Sequence, residues 1–233
     1  MRAVFKREFR SYFSTPIGFI VLAVFYFFLG LYFSMIYSYG SPDTATVIVA
    51  MSTVIVFTMP VVTMRLMSED RRQKVDQALL TAPVSLTSIV LGKFFAALAL
   101  FAIGFAPTVI FEIIVASYVS VNIMSYIYAL FGMLLLGSAL IAIGMFISSL
   151  TESSVISAIL TLVINILVLY MSSFASMINV TWLANIIEKA AFITAFENFG
   201  ENVFSVFDVV YFLSISAAFL FLCVRSLDKR RWA

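Results

Sequence analysis

Residues 17–39 read IGFIVLAVFYFFLGLYFSMIYSY, 23 consecutive positions without a charged side chain. At a rise of ~1.5 Å per residue such a run extends roughly 34 Å as a helix, enough to cross a hydrocarbon core of ~30 Å. Lipid supplies no water to the backbone, so the run must pair its own N–H and C=O groups, which a helix does. Five more apolar runs follow the same logic: Thr44–Met67, Leu86–Tyr118, Ser125–Leu150, Ser153–Ser176 and Asp208–Arg225. The short alternating strands of a membrane barrel are absent. The expectation is an all-α, polytopic integral membrane protein with six transmembrane helices.

Composition agrees. The chain has 233 residues, 63% hydrophobic and 11% charged, against ~45–50% and ~25% in soluble domains. Six spans and short loops use up this length, so no soluble catalytic domain is expected, and residues 1–233 read as a single domain. There is no histidine, and Cys223 is the one cysteine. That removes the commonest general base, the usual zinc ligand sets and any intrachain disulfide. Cys223, late in the last apolar run, reads as a buried inert thiol. The first apolar run is long and lacks a small-residue cleavage pattern, so it is expected to stay as a span. The methionines, lacking His or Cys company, read as packing. No nucleic-acid partner is expected.

The basic residues fix the direction of threading. Arg2, Lys6, Arg7 and Arg10 precede the first span; Arg65, Arg71, Arg72, Lys74 and Lys93 flank the connection between the second and third; Arg225, Lys229, Arg230 and Arg231 close the chain. With six spans all of these fall on one side, and of the 14 Lys and Arg residues only Lys189 falls on the other. The positive-inside rule makes that side cytoplasmic, with both termini there and a cell (inner) membrane location. Within residues 1–16, Phe5, Phe9, Tyr12 and Phe13 share one helical face and Lys6, Arg7 and Arg10 the other, the pattern of an interfacial helix. A solvated basic tail is the alternative. Pro107, inside the overlong third run, predicts a kink near it.

Between the second and third spans, Ser68-Glu69-Asp70-Arg71-Arg72-Gln73-Lys74-Val75-Asp76-Gln77-Ala78-Leu79-Leu80 carries both charge signs, with Val75, Leu79 and Leu80 at helical spacing before Thr81-Ala82-Pro83. A short helix across the inner membrane face fits, with apolar residues to dock on a soluble partner and charges to set register; a plain topological loop also fits.

The same region, RLMSEDRRQKVDQALLTAPVSLTSIVLGK over Arg65–Lys93, resembles export-type (type-2) ABC-transporter permeases. Their pattern is an acidic pair, a basic stretch, a Gly-Thr-x-Glu-like element, Leu-Leu-x-x-Pro-Val-Ser and a Gly-Lys opening the next span. Here these are Glu69-Asp70, Leu79 to Ser85 and Gly92-Lys93; the chain departs at Lys74-Val75, where the family has Gly-Thr, with Asp76 near the usual Glu. The chain's end, DVVYFLSISAAFLFLCVRSLDKRRW, is similar to the last span of the gliding-motility-like subgroup. The resemblance implies that residues 68–82 form a coupling helix seated in a cytoplasmic ATP-binding subunit. Glu69, Asp70, Arg71, Arg72 and Asp76 would contact it, with Val75, Leu79 and Leu80 as apolar anchors. It also implies a dimer with a second permease subunit, identical or not. No Gly-x-x-x-x-Gly-Lys-Ser/Thr loop occurs, and Gly92-Lys93 is followed by Phe94, so this chain is expected to bind no cofactor and to leave ATP and Mg to the partner.

Polar residues inside the runs are the remaining candidates. Glu112 reads as an interfacial carboxylate, a structural partner for a neighbouring helix, or part of a pathway. Ser154, Ala158, Thr161, Asn165 and Ser172 form one small, polar stripe in the fifth run, a mark of close helix packing, a dimer seam or a translocation cavity. Gly137, Gly144 and Ser148 make a small packing face in the fourth. Residues 177–207 read as two outer amphipathic helices, one with Trp182, Leu183, Ile186 and Ile187, the other with Phe192, Phe196, Phe199 and Val203; the resemblance implies that they are re-entrant. An ion-coupled transporter would want ionisable groups at the midplane and often inverted repeats, which the sequence lacks. A membrane anchor recruiting an ATPase without transport is the other alternative.

Overall fold

The computed structural model describes residues 1–38, 40, 43–72, 85–175, 191–201 and 204–231. Among them every regular element is a helix: α1 Arg2–Ser14, α2 Pro16–Ser38, α3 Thr44–Thr63, α4 Ser68–Arg72, α5 Leu86–Gly104, α6 Ala106–Tyr118, α7 Ile123–Leu150, α8 Ser154–Leu169, α9 Met171–Ala175, α10 Phe192–Gly200 and α11 Val206–Arg231. Five stretches are long and apolar enough to cross a membrane: Pro16–Ser38, Thr44–Arg72, Leu86–Tyr118, Ile123–Leu150 and Val206–Lys229. The fifth run of the sequence gives only the 16-residue α8, about 24 Å of helix. Tyr170 interrupts it before α9.

The third run breaks where its proline predicts. Pro107 has no N–H to give to Ile103, and α5 ends at Gly104 with the Phe105 N–H shared between Ala102 O and Ile103 O. The chain restarts as α6 with Pro107 in its first turn, where a missing N–H costs nothing.

α7 is the central post. It is apolar on every side and packs against α3, α5, α8, α10 and α11, as expected of a helix hydrophobic all round. Close approach follows from its small residues. A Cβ on Gly144 would sit 2.3 Å from Thr63 Oγ1 of α3, and one on Gly137 would sit 2.1 Å from Phe101 Cε1 of α5. Ser138 meets Ser216 of α11 at 3.1 Å between hydroxyls. Cys223 is fully buried near the Met145 carbonyl.

α10 lies at the end of the bundle opposite to α1 and α4. Its buried face of Phe192, Ala195, Phe196 and Phe199 is the one the sequence marks, and it is taken up mainly by α7. Asn198 Nδ2 donates to Asp208 Oδ2 at 2.8 Å, tying α10 to the start of α11. Trp182, Leu183, Ile186, Ile187, Lys189 and Val203 lie outside the described residues, as do Val75, Asp76, Leu79 and Leu80.

Candidate functional site

The charged ends of α1, α3, α4 and α5 converge on one buried ammonium. Lys93 sits eight residues into α5 and is 1% exposed. Its Nζ donates to Leu66 O at 2.5 Å and pairs with Asp70 Oδ2 at 2.8 Å and Glu8 Oε1 at 3.2 Å. An ammonium has three N–H donors, and here each has an acceptor. Arg7 completes the cluster, 2.6 Å from Glu8 and 3.6 Å from Asp70. Two cations and two carboxylates make it neutral, the condition under which charges tolerate burial. Partial burial works against the Arg7 guanidinium, but the Glu8 hydrogen bond and charge, with Asp70 beyond, raise its pKa above the ordinary value.

Tyr12 fixes α1 to α3 beside this cluster: its hydroxyl donates to Val62 O at 3.0 Å. Burial, and then the Glu8 charge, push its phenol pKa well above the ordinary value. A cavity of about 310 Å³ opens between α1, α3 and α4, with Arg7, Glu8, Tyr12, Val62, Arg65 and Asp70 among its lining.

A second set of contacts joins α4 to the turn between α7 and α8. Ser148 Oγ accepts from Met67 N at 3.2 Å and Ser68 N at 3.1 Å, and donates to Met64 O at 3.1 Å. One hydroxyl therefore serves amides at the start of α4 and a carbonyl at the end of α3. Ser68 Oγ also donates to Met64 O and lies 3.3 Å from Ser154 Oγ. Arg71 forks, with Nη2 2.7 Å from Glu152 and Nη1 donating to Leu150 O at 3.2 Å. Leu150 is the last residue of α7, where a helix end welcomes a cation.

The four charged residues of α4 thus differ in their surroundings. Glu69 lies 3.8 Å from Arg65, Asp70 faces Lys93 and Arg7, Arg71 faces the α7–α8 turn, and Arg72 is exposed with no ion pair among the described residues. Glu8 and Glu152 carry no motif signal, and the motif that includes Lys93 does not say what the lysine pairs with. The one clue was a lysine well inside an apolar run, which must find a counter-charge.

Thr161 and Asn165 are fully buried, and Ser157 joins them on the α8 face turned to α3 and α7. Ser157 replaces Ala158 as the third member of the row. Ser157 Oγ, Thr161 Oγ1 and both amide atoms of Asn165 have no hydrogen-bond partner among the described residues. Ser172 is half-buried in α9. Glu112 turns inward on α6 with Thr108 and Val115, 9% exposed, and its Oε1 has no hydrogen-bond partner among the described residues.

A bundle with five helical stretches long and apolar enough to cross a membrane is the fold of a multi-pass membrane protein. The sequence profile described as ABC-2 type transporter matches residues 1–204. The chain belongs to that family and is a permease-type subunit, whose family in general partners an ABC ATP-binding subunit. A comparison with curated proteins gave no match.

Proposed function

We propose that the chain is the permease half of an ATP-driven exporter, working as a dimer with two ATP-binding subunits that hold ATP and Mg. In this reading α8 and α9 together form the sixth span, the charged end is cytoplasmic, and both termini lie there in the cell membrane. Residues 68–82 form the coupling helix.

The observation that carries the reading is the double bracing of α4. Asp70 connects it to α1 and α5 through Lys93 and Glu8, and Arg71 and Ser68 connect it to the start of α8. A push on the segment following α4 is therefore delivered to two groups of spans at once. Such a lever needs two states with different contacts, and the neutral cluster and the α7–α8 turn are the contacts that would differ. The buried polar row Ser157–Thr161–Asn165 would line the opened path, with Glu112 as a further candidate. An anchor without transport would not need α4 tied to α8, the helix that carries this row.

The test is reconstitution of the chain with its ATP-binding subunit in vesicles. ATP-dependent solute movement, lost on reversing the charge of Asp76 and replacing Leu79 and Leu80 by Ser, is the expected result. Solute movement without nucleotide, or failure to associate with an ATP-binding subunit, would overturn the proposal.

A further inference from the structure

Ion pairing at the charged end leaves a defined remainder. The carboxylates there among the described residues are Glu8, Glu69, Asp70, Glu152 and Asp228, and each lies in an ion pair with Arg7, Lys93, Arg65, Arg71 or Arg225. That remainder is Arg72, Lys229 and, on α1, Arg2, Lys6 and Arg10, all exposed and without an ion-pair partner among the described residues; only the α1 residues make a row. Their spacing of four places them in one row about 12 Å long on a helix.

The position of that row on α1 matters. Val4, Glu8 and Tyr12 face the bundle, and Gly92 of α5 comes close enough that its Cβ would meet Val4 at 3.0 Å. Phe5, Phe9 and Phe13 form the flank, half-buried and in ring contact in series, Phe5–Phe9 at 5.7 Å and Phe9–Phe13 at 5.2 Å. Phe13 continues the ladder to Phe19 at 5.7 Å, which is 58% exposed on the apolar first span. At 100° per residue the cationic row lies only about 60° from the phenylalanine row and about 160° from the face turned to the bundle. Cations next to, rather than opposite, a lipid-directed aromatic edge stand at the depth of the headgroups, reached by their flexible stems.

We propose that Arg2, Lys6 and Arg10 form a binding rail for the phosphate headgroup of an anionic phospholipid in the leaflet at the charged end. Lys6 and Arg10 grip the phosphate beside the Phe5–Phe9 stack, and the acyl chains run along the ladder toward Phe19. Because the neighbouring Arg7 and Glu8 are fastened to Asp70 and Lys93, occupancy of the rail sets the position of α1 against α4.

The experiment uses the purified full chain in vesicles of phosphatidylcholine doped with a photoactivatable lipid, with adducts mapped by mass spectrometry. Photoactivatable phosphatidylglycerol labels residues 2–14 about fivefold more than photoactivatable phosphatidylcholine, the factor one cation supplies near an anionic surface. The excess shrinks when salt is raised from roughly 0.15 to 1 M, as the Debye length drops from about 8 to 3 Å. The variant Arg2→Gln/Lys6→Gln/Arg10→Gln loses the excess, and Arg2→Lys/Arg10→Lys keeps it. Equal labelling by the two lipids in the unmodified protein overturns the proposal, whatever the variants do. So does loss of the excess when an ATP-binding subunit is bound, which would make the row a protein docking surface.

Discussion

Lys93 Nζ and Asp70 Oδ2 lie 2.8 Å apart, the lysine 1% and the carboxylate 19% exposed. This pair joins α5 to α4, with Glu8 as the second acceptor from α1. Removing the ammonium leaves two carboxylates in a confined place with Arg7 as their one remaining cation. Lys93→Met therefore destabilises the protein by about 3–5 kcal/mol, the range for breaking a buried pair from one side. The double variant Asp70→Asn/Lys93→Met keeps the neutral Arg7–Glu8 pair and regains most of that loss. Thermal unfolding in one detergent compares the three proteins; a double variant no more stable than the single one would show that the charges are not the cause.

The Ser148 hydroxyl serves Met67 N, Ser68 N and Met64 O at once. Ser148→Ala leaves buried amides without an acceptor, at a cost of about 1–3 kcal/mol. Amide hydrogen exchange at Met67 and Ser68 should accelerate while the middle of α7 stays protected. Unchanged exchange at those two amides would mean that the node is not formed.

Much of this architecture is legible in the sequence. Long uncharged runs announce spans because lipid leaves the backbone no alternative, and Pro107 announces the α5–α6 break. The interruption at Tyr170 was not legible, since residues 153–176 contain neither Gly nor Pro. Nor was the Lys93 cluster. Its members come from positions 7, 8, 70 and 93, and a lone sequence states that a buried lysine needs an anion without saying which one. The α8 row was half legible: Thr161 and Asn165 belong to the stripe that the sequence marks, but helix rotation puts Ser157 on the buried side.

Two glycines should respond oppositely to a methyl group. At Gly144 the new Cβ would fall 2.3 Å from Thr63 Oγ1 and 2.8 Å from Thr63 Cβ, while at Gly30 nothing lies within 4 Å. Thr63 is itself held, donating to Met59 O at 2.9 Å. Gly144→Ala is expected to cost about 1–3 kcal/mol through overpacking. Gly30→Ala is expected to gain about 0.5–1 kcal/mol by removing a flexible residue from a helix interior. Melting temperatures shifted in the same direction would contradict the α3–α7 contact.

Tyr12 gives the charged end an alkaline limit. Its folded-state pKa is raised, by burial first and by Glu8 second, above the unfolded value of about 10. A raised pKa means that the folded state favours the neutral phenol. The stabilisation is therefore complete below about pH 10 and is lost as pH climbs toward the folded value. Tyr12→Phe should remove one late step from the tyrosinate absorbance titration and cost about 1 kcal/mol at neutral pH, the worth of the hydrogen bond to Val62 O. Loss of an ordinary step at about pH 10 instead would place Tyr12 in water.

Asn165 separates stability from function. Both of its amide atoms are buried without hydrogen-bond partners among the described residues, as are the hydroxyls of Thr161 and Ser157, one and two turns earlier on the same face. Such groups cost about 1–3 kcal/mol each when left unsatisfied, so a protein selected only for a stable bundle would carry Leu at this position. Asn165→Leu is accordingly expected to raise stability by about 1 kcal/mol or more. If the row is wetted when the bundle opens, the same change makes that opened state harder to reach, and ATP-driven transport falls while the ATP-binding subunit still associates. Higher thermal stability with transport at the original rate would identify the row as packing alone. Lower stability would show that the amide has a partner after all.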